Sequence, residues 1–182
     1  MKTLLYCCHS WRINNWLGLA RAGVFTRPLT CPPLDAGSFP YSKLAGVDLV
    51  YMALHGAAYE RDLLYGDDWR AALSIEALRR RAPDMSGAVV VLEGCYGMRT
   101  RFPHLFRDLG VVAVIASARP TWDRTLSLGR AGRYGSTLVR ALRQGATVRD
   151  AMAVAADVVD ADTAMAFVLA GEPDVRLQRT TP

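Results

Sequence analysis

Runs that are apolar without alternation recur along the chain at residues 3–8, 48–54, 88–93, 111–116 and 164–170. A strand buried on both faces reads this way, because helices cover each face and neither tolerates polar side chains. Between these runs the apolar period lengthens. Tyr134, Leu138 and Leu142 recur every fourth residue up to Gly145, which predicts an amphipathic helix with a glycine stop. Thr147 with Asp150 three residues later has the form of a capping box, opening a helix whose inner face holds Val148, Ala151, Met152 and Ala155. Ser74 stands where an N-cap opens a helix over 75–81, and Pro83 stops it. Shorter helices are expected over 11–22, with Trp16, Leu17 and Ala20 inward, and over 104–109, closed by Gly110. Prolines 28, 32 and 33 mark an irregular connection with a short edge strand near 24–29, and 57–73 reads as a polar loop. Strands alternating with helices predict a doubly wound α/β sandwich.

Two of the apolar runs end in chemistry. The run 88–93 leads into Gly94-Cys95-Tyr96-Gly97, and the run 48–54 leads into His55-Gly56. In open parallel sheets ligands gather beyond the carboxyl ends of the strands, so neighbouring strands would bring this thiol and imidazole to one rim. An imidazole beside a thiol can take its proton and leave a thiolate nucleophile. The flanking glycines permit close approach, and the amides of Gly56 and Cys95 are suited to hold an oxyanion.

Composition narrows the setting. The 182 residues are half apolar and one-fifth charged, which excludes a disordered chain and favours one domain with a core of its own. The net charge of +5 is spread along the chain, and Arg79, Arg80 and Arg81 complement a helix C-terminus, so direct nucleic-acid binding is not expected. Cysteines at 7, 8, 31 and 95 form no CxxC pair, so neither a disulfide framework nor a metal or other cofactor is expected, and Cys7 and Cys8 are assigned to the core. The first residues are too short an apolar run for a signal peptide, and no stretch suits a membrane helix. A cytoplasmic protein without membrane contact is the expectation.

An apolar strand ending in His-Gly, followed by one ending in x-Gly-Cys-x-Gly, resembles the caspase-like (clan CD) cysteine peptidases, and within them the CHAT branch related to caspases, separase and legumain. Residues 42–56 resemble the block ending in the histidine. Leu73-Ser74-Ile75-Glu76-Ala77-Leu78, residues 111–123 and residues 134–155 resemble the blocks that follow, and Phe167-Val168-Leu169-Ala170-Gly171-Glu172-Pro173 resembles the closing strand. The resemblance implies a three-layer caspase-like sandwich, a mostly parallel central sheet with helices on both faces. It spans residues 1–182 as one domain, with 1–46 weakly matched and 178–182 a frayed tail.

The resemblance also implies a cysteine endopeptidase in which Cys95 attacks the scissile carbonyl, His55 serves as base and then acid, and the amides of Gly56 and Cys95 bind the oxyanion. The residue two before the cysteine lines the pocket for the substrate residue preceding the cut. Here it is Glu93, so cleavage after Arg or Lys is expected, with Asp123 as a second acidic wall. Many CHAT sequences carry a small residue at the position of Glu93, and Glu172 stands where Asp is usual. The partners implied are a protein or peptide substrate and an activating subunit. A glutamine-amidotransferase elbow fits less well, because Glu93 occupies its first glycine and the only later histidine is His104. The non-enzymatic alternative is an inactive caspase-like scaffold serving as an interaction module.

Overall fold

The computed structural model describes residues 1–120 and 130–177. Six strands form the central sheet: β1 (Thr3–Cys8), β2 (Leu29–Cys31), β3 (Leu49–Ala53), β6 (Val89–Glu93), β7 (Ala113–Ser117) and β8 (Phe167–Gly171). Their order is β2-β1-β3-β6-β7-β8, all parallel except β8, which runs antiparallel to β7. A smaller two-stranded antiparallel sheet, β4 (Leu63–Tyr65) with β5 (Ala71–Ser74), stands between β3 and the next helix.

The unalternating runs have the burial their composition predicts. Leu49, Val50, Val89, Val90, Val91, Val114 and Ile115 are inaccessible to solvent, because alternate side chains enter two different cores. One face packs Val50, Met52, Leu54, Val90 and Leu92 with Phe102 and Phe106 of α3 (Phe102–Asp108) and Leu78 of α2 (Ile75–Arg81). The opposite face packs Leu49, Tyr51, Val89 and Val91 with Leu19 of α1 (Arg12–Arg21), Tyr134, Leu138 and Leu142 of α4 (Arg130–Arg143), and Val148 of α5 (Val148–Ala156). Tyr134 stacks on Phe167 at 4.2 Å, tying α4 to the last strand.

Local signals end several elements where the sequence places them. Ser74 accepts from the Ala77 amide at 3.1 Å and Thr147 from the Asp150 amide at 3.1 Å, each satisfying one of the orphan donors of a helix start. Gly145 closes α4 in a left-handed conformation, φ 93°.

Four expectations are corrected. In α1 the inward residues are Gly18 and Leu19, whereas Trp16 and Leu17 are 41% and 39% exposed; α1 leans on α4, and its apolar stripe is rotated accordingly. The edge strand lies at Leu29–Cys31, not 24–29, because its register is set by pairing with Tyr6 to Cys8. The stretch read as a polar loop holds the β4–β5 hairpin, which runs from Leu63 to Ser74. Residues 164–166 belong to a further helix, α6 (Ala161–Ala166), capped by Asp160, and β8 begins at Phe167. The tail at 178–182 and Asp123 lie outside the described residues.

Phe106→Ala, which empties a fully buried site between α3 and the sheet, is expected to cost about 3–5 kcal/mol. Ser74→Ala is expected to cost about 1 kcal/mol. Urea unfolding of the two variants should separate them by a wide margin in midpoint at an unchanged m-value.

Candidate active site

The register of the two central strands sets the site. Ala53 of β3 lies opposite Glu93 of β6, so His55 and Cys95 each follow this pair by two residues on adjacent parallel strands. The strand ends stay in contact past the ladder. The Leu54 amide donates to the Glu93 carbonyl at 3.2 Å. A β-carbon at Gly56 would run into the Cys95 carbonyl oxygen, and one at Gly94 into the Leu54 carbonyl oxygen. These two glycines therefore let the backbones carrying histidine and cysteine lie against each other. Of the four cysteines, Cys95 is partly exposed at this rim, while Cys7, Cys8 and Cys31 are buried.

The turn after Cys95 is strained. Tyr96 adopts a left-handed conformation at φ 58°, with its amide donating to the Arg119 carbonyl at 3.2 Å and Arg99 placed over its ring at 5.3 Å. Gly97 then packs beneath Leu92 and Ala116, turning the chain back over the sheet. Asp68 and Trp69, at the tip of the β4–β5 hairpin, also have φ of 55°. Among the described residues these three are the non-glycines at positive φ, and all belong to the loops around His55 and Cys95. Such conformations cost on the order of 1–3 kcal/mol each and persist only where the surroundings over-determine them.

His55 is held from three sides. Its backbone pairs with Tyr65 of β4 through two hydrogen bonds of 2.8 and 2.9 Å. Its ring meets Trp11 edge-on at 4.4 Å and Trp69 at 5.8 Å. A nitrogen of the ring, the Cys8 sulfur and an Asp67 oxygen lie within 4.8 Å of one another. Ser10 fixes that carboxylate, its amide at 2.8 Å and its hydroxyl at 2.6 Å. Burial lowers the His55 pKa from its ordinary value of 6.5, and the Asp67 charge opposes the shift. The imidazole is therefore neutral at pH 7, the form that accepts a proton. Burial pushes the Cys8 thiol well up.

Glu93 sits at the rim on the sheet face covered by α4. Its carboxylate accepts a hydrogen bond from the Tyr51 hydroxyl, with Gly135 of α4 beside both. Gly56 lies beside Gly94 and against the Cys95 carbonyl. Thus His55, Gly56, Glu93 and Cys95 come to one rim. Trp11, Asp67 and Trp69 join them without having been singled out from sequence. The one available signal was the acidic and aromatic cluster Asp67-Asp68-Trp69 after Gly66, which the polar-loop reading absorbed. Among the described residues, Cys8, His55 and Asp67 are also a group placed to take a metal ion.

In native protein, iodoacetamide is expected to label Cys95 before Cys7, Cys8 and Cys31, as peptide mapping would record; uniform labelling would contradict the burial pattern. NMR titration is expected to find His55 protonating below pH 6.5, and Asp67→Asn should move that midpoint lower still by removing the charge that favours imidazolium.

No family model and no curated protein matches the chain. Among solved structures it is similar to the Arg-specific cysteine proteinase gingipain R, with TM-score 0.62 and 13% identity over 97% of this chain and 47% of that one. It is also similar to a complex of the pro- and mature domains of Porphyromonas gingivalis RgpB, with TM-score 0.60 and 12% identity over 97% and 48% of the respective chains. A third structure, described as a protease, gives TM-score 0.57 and 15% identity over 100% and 49%. The chain spans about half the length of each. What they share with it is the fold: a mostly parallel six-stranded sheet between helical layers, the caspase-like arrangement of gingipain R.

Proposed function

We propose that the protein is a caspase-like cysteine endopeptidase with His55 and Cys95 as its dyad, cutting after Arg or Lys. The observation that carries this reading is the apposition of the two strand ends, where Gly56 lies against the Cys95 carbonyl and Gly94 against the Leu54 carbonyl, on either side of His55. In the reaction the Cys95 sulfur attacks the scissile carbonyl carbon as its proton passes to the neutral His55 imidazole. The amides of Gly56 and Cys95 receive the developing oxyanion. His55 then delivers the proton to the departing amine, and water hydrolyses the thioester to release the acid.

Glu93 selects the substrate. It lies two residues before Cys95, partly buried, with the Tyr51 hydroxyl orienting its carboxylate, so a guanidinium or ammonium has a charged partner at the rim. The Arg specificity stated for gingipain R, on the same fold, agrees with this preference. Asp123, outside the described residues, is proposed as a second acidic wall. The order of the sequence blocks around His55 and Cys95 supports placement in the CHAT branch. A protein substrate follows from the proposed activity, and an activating partner subunit is proposed beside it, in keeping with the complex of pro- and mature domains seen for RgpB.

Fluorogenic peptides ending in Arg, Lys and Asp test the reading. Arg and Lys peptides should be cleaved and Asp peptides spared. His55→Ala should lower kcat by about 10²–10⁴-fold, the usual weight of a general base, and Cys95→Ala should leave no turnover. Glu93→Gln should cut kcat/KM for Arg peptides on the order of 10- to 100-fold, as loss of a charge-assisted hydrogen bond would. Undiminished Arg cleavage in that variant would remove Glu93 from the pocket, and no cleavage of any peptide with any activator would favour the inactive-scaffold reading. The rate should fall on acidification only below pH 6.5, as His55 charges.

A further inference from the structure

We infer that Cys8, His55 and Asp67 form a zinc-binding site that holds the imidazole away from Cys95, so that the metal acts as a reversible inhibitor of the peptidase. The inhibitory role rests on the proposed function of His55; the site itself does not. Three different elements deliver the ligands. Cys8 ends β1, His55 follows β3, and Asp67 lies in the β4–β5 connection. Cys7 pairs with Ala53 across the sheet, so Cys8 arrives beside the segment that leads into His55. The Cys8 sulfur is 3.8 Å from the Tyr65 carbonyl, and Tyr65 is the residue whose backbone pairs with His55.

The donor chemistry suits zinc. A soft thiolate and a borderline imidazole favour zinc over calcium or magnesium, and zinc also accepts the harder carboxylate oxygen as its third ligand. With Cys8 and Asp67 ionised the complex is neutral, so the buried thiolate gains a full counter-charge. The three donor atoms lie within 4.8 Å of one another, whereas tetrahedral zinc with bonds of about 2.0–2.3 Å needs donors roughly 3.3–3.8 Å apart. Side-chain rotation about an ångström inward closes that gap. Ser10 already holds the carboxylate through its amide and hydroxyl, the outer-shell support that metal-ligating carboxylates ordinarily have. His55 and Asp67 are only partly buried, leaving the fourth position open to water from the cleft.

On binding, the Cys8 thiol releases its proton to solvent and its sulfur joins the metal. The His55 nitrogen lone pair also goes to the metal and no longer accepts the Cys95 proton. The inhibited state thus depends on Cys8, a residue with no part in the cleavage reaction.

Cobalt(II) titration of the full chain tests this, because a thiolate–cobalt bond gives a near-ultraviolet charge-transfer band independent of any activity. One equivalent should produce the band in the wild type and in Cys95→Ala, and Cys8→Ser should lack it. Ser10→Ala, an exposed substitution that spares the core, should weaken metal affinity by about 10- to 100-fold and serves as the check if Cys8→Ser does not fold. Zinc should inhibit Arg-peptide cleavage reversibly by chelator, and Cys8→Ser should cleave normally in metal-free buffer and resist zinc. A wild type with no band, a band that survives Cys8→Ser but is lost in Cys95→Ala, or unchanged affinity in Ser10→Ala would each overturn the site. A correct cobalt pattern with no peptidase activity would instead overturn the reading of His55 as a catalytic base and leave the metal site standing.

Discussion

The rim depends on a steric constraint between two backbones. Past the last paired residues of β3 and β6, the chains do not splay; Gly56 rests on the Cys95 carbonyl and Gly94 on the Leu54 carbonyl. Any side chain at either position would force the strand ends apart. A displacement of about an ångström is enough to lower catalysis by orders of magnitude where two groups must share a proton. The buried strands below make this contact stable, since each is packed on both faces and cannot slide without exposing apolar surface.

The strained residues carry the same constraint outward. Tyr96 at positive φ turns the chain immediately after Cys95, and Asp68 and Trp69 fold the hairpin tip back so that the Trp69 ring approaches His55. A non-glycine residue in this conformation is retained only if its surroundings hold it, and here they do. Tyr96 is bound through its amide to Arg119 and covered by Arg99, and the Asp67 carboxylate beside the hairpin tip is anchored to Ser10. Strain at the rim is thus balanced by contacts to the turn after β1, the loop after β7 and the sheet itself.

How much of this was legible in the sequence follows from what kind of signal each element carries. The buried strands and α4 were readable because burial on one or two faces imposes a period on the residues themselves, and Ser74 and Thr147 because a cap is a local hydrogen bond. The position of His55 and Cys95 at neighbouring strand ends was readable because each stands where an apolar run stops at a glycine. The β4–β5 hairpin was not. Its strands are three and four residues long, and their pairing is set by His55 across the bridge to Tyr65, a tertiary contact that leaves no period in sequence. For the same reason Asp67 and Cys8 could not be joined to His55 from sequence. The face of α1 was misread because its burial is decided by the position of α4, and the amphipathic signal of α1 itself is weak.

Strand alternation also divides the labour of the rim. Residues 51, 89, 91 and 93 face α4, whereas 50, 52, 90 and 92 face α2 and α3. Glu93 with Tyr51 therefore lies on one side of the sheet edge, and the group of Cys8, His55 and Asp67 gathers where Leu54 and Leu64 pack on the other. Cys95 stands between them, at the end of the strand that separates the two faces. If a basic side chain is received by Glu93 while the scissile carbonyl meets Cys95, the substrate crosses the sheet edge from one face to the other. In the proposed reaction, charge selection and proton transfer are then kept apart by the sheet, because Glu93 does not sit against the imidazole whose neutral form that reaction would use. Asp67 is the carboxylate that does face His55. Burial outweighs its charge, and the imidazole stays neutral at pH 7.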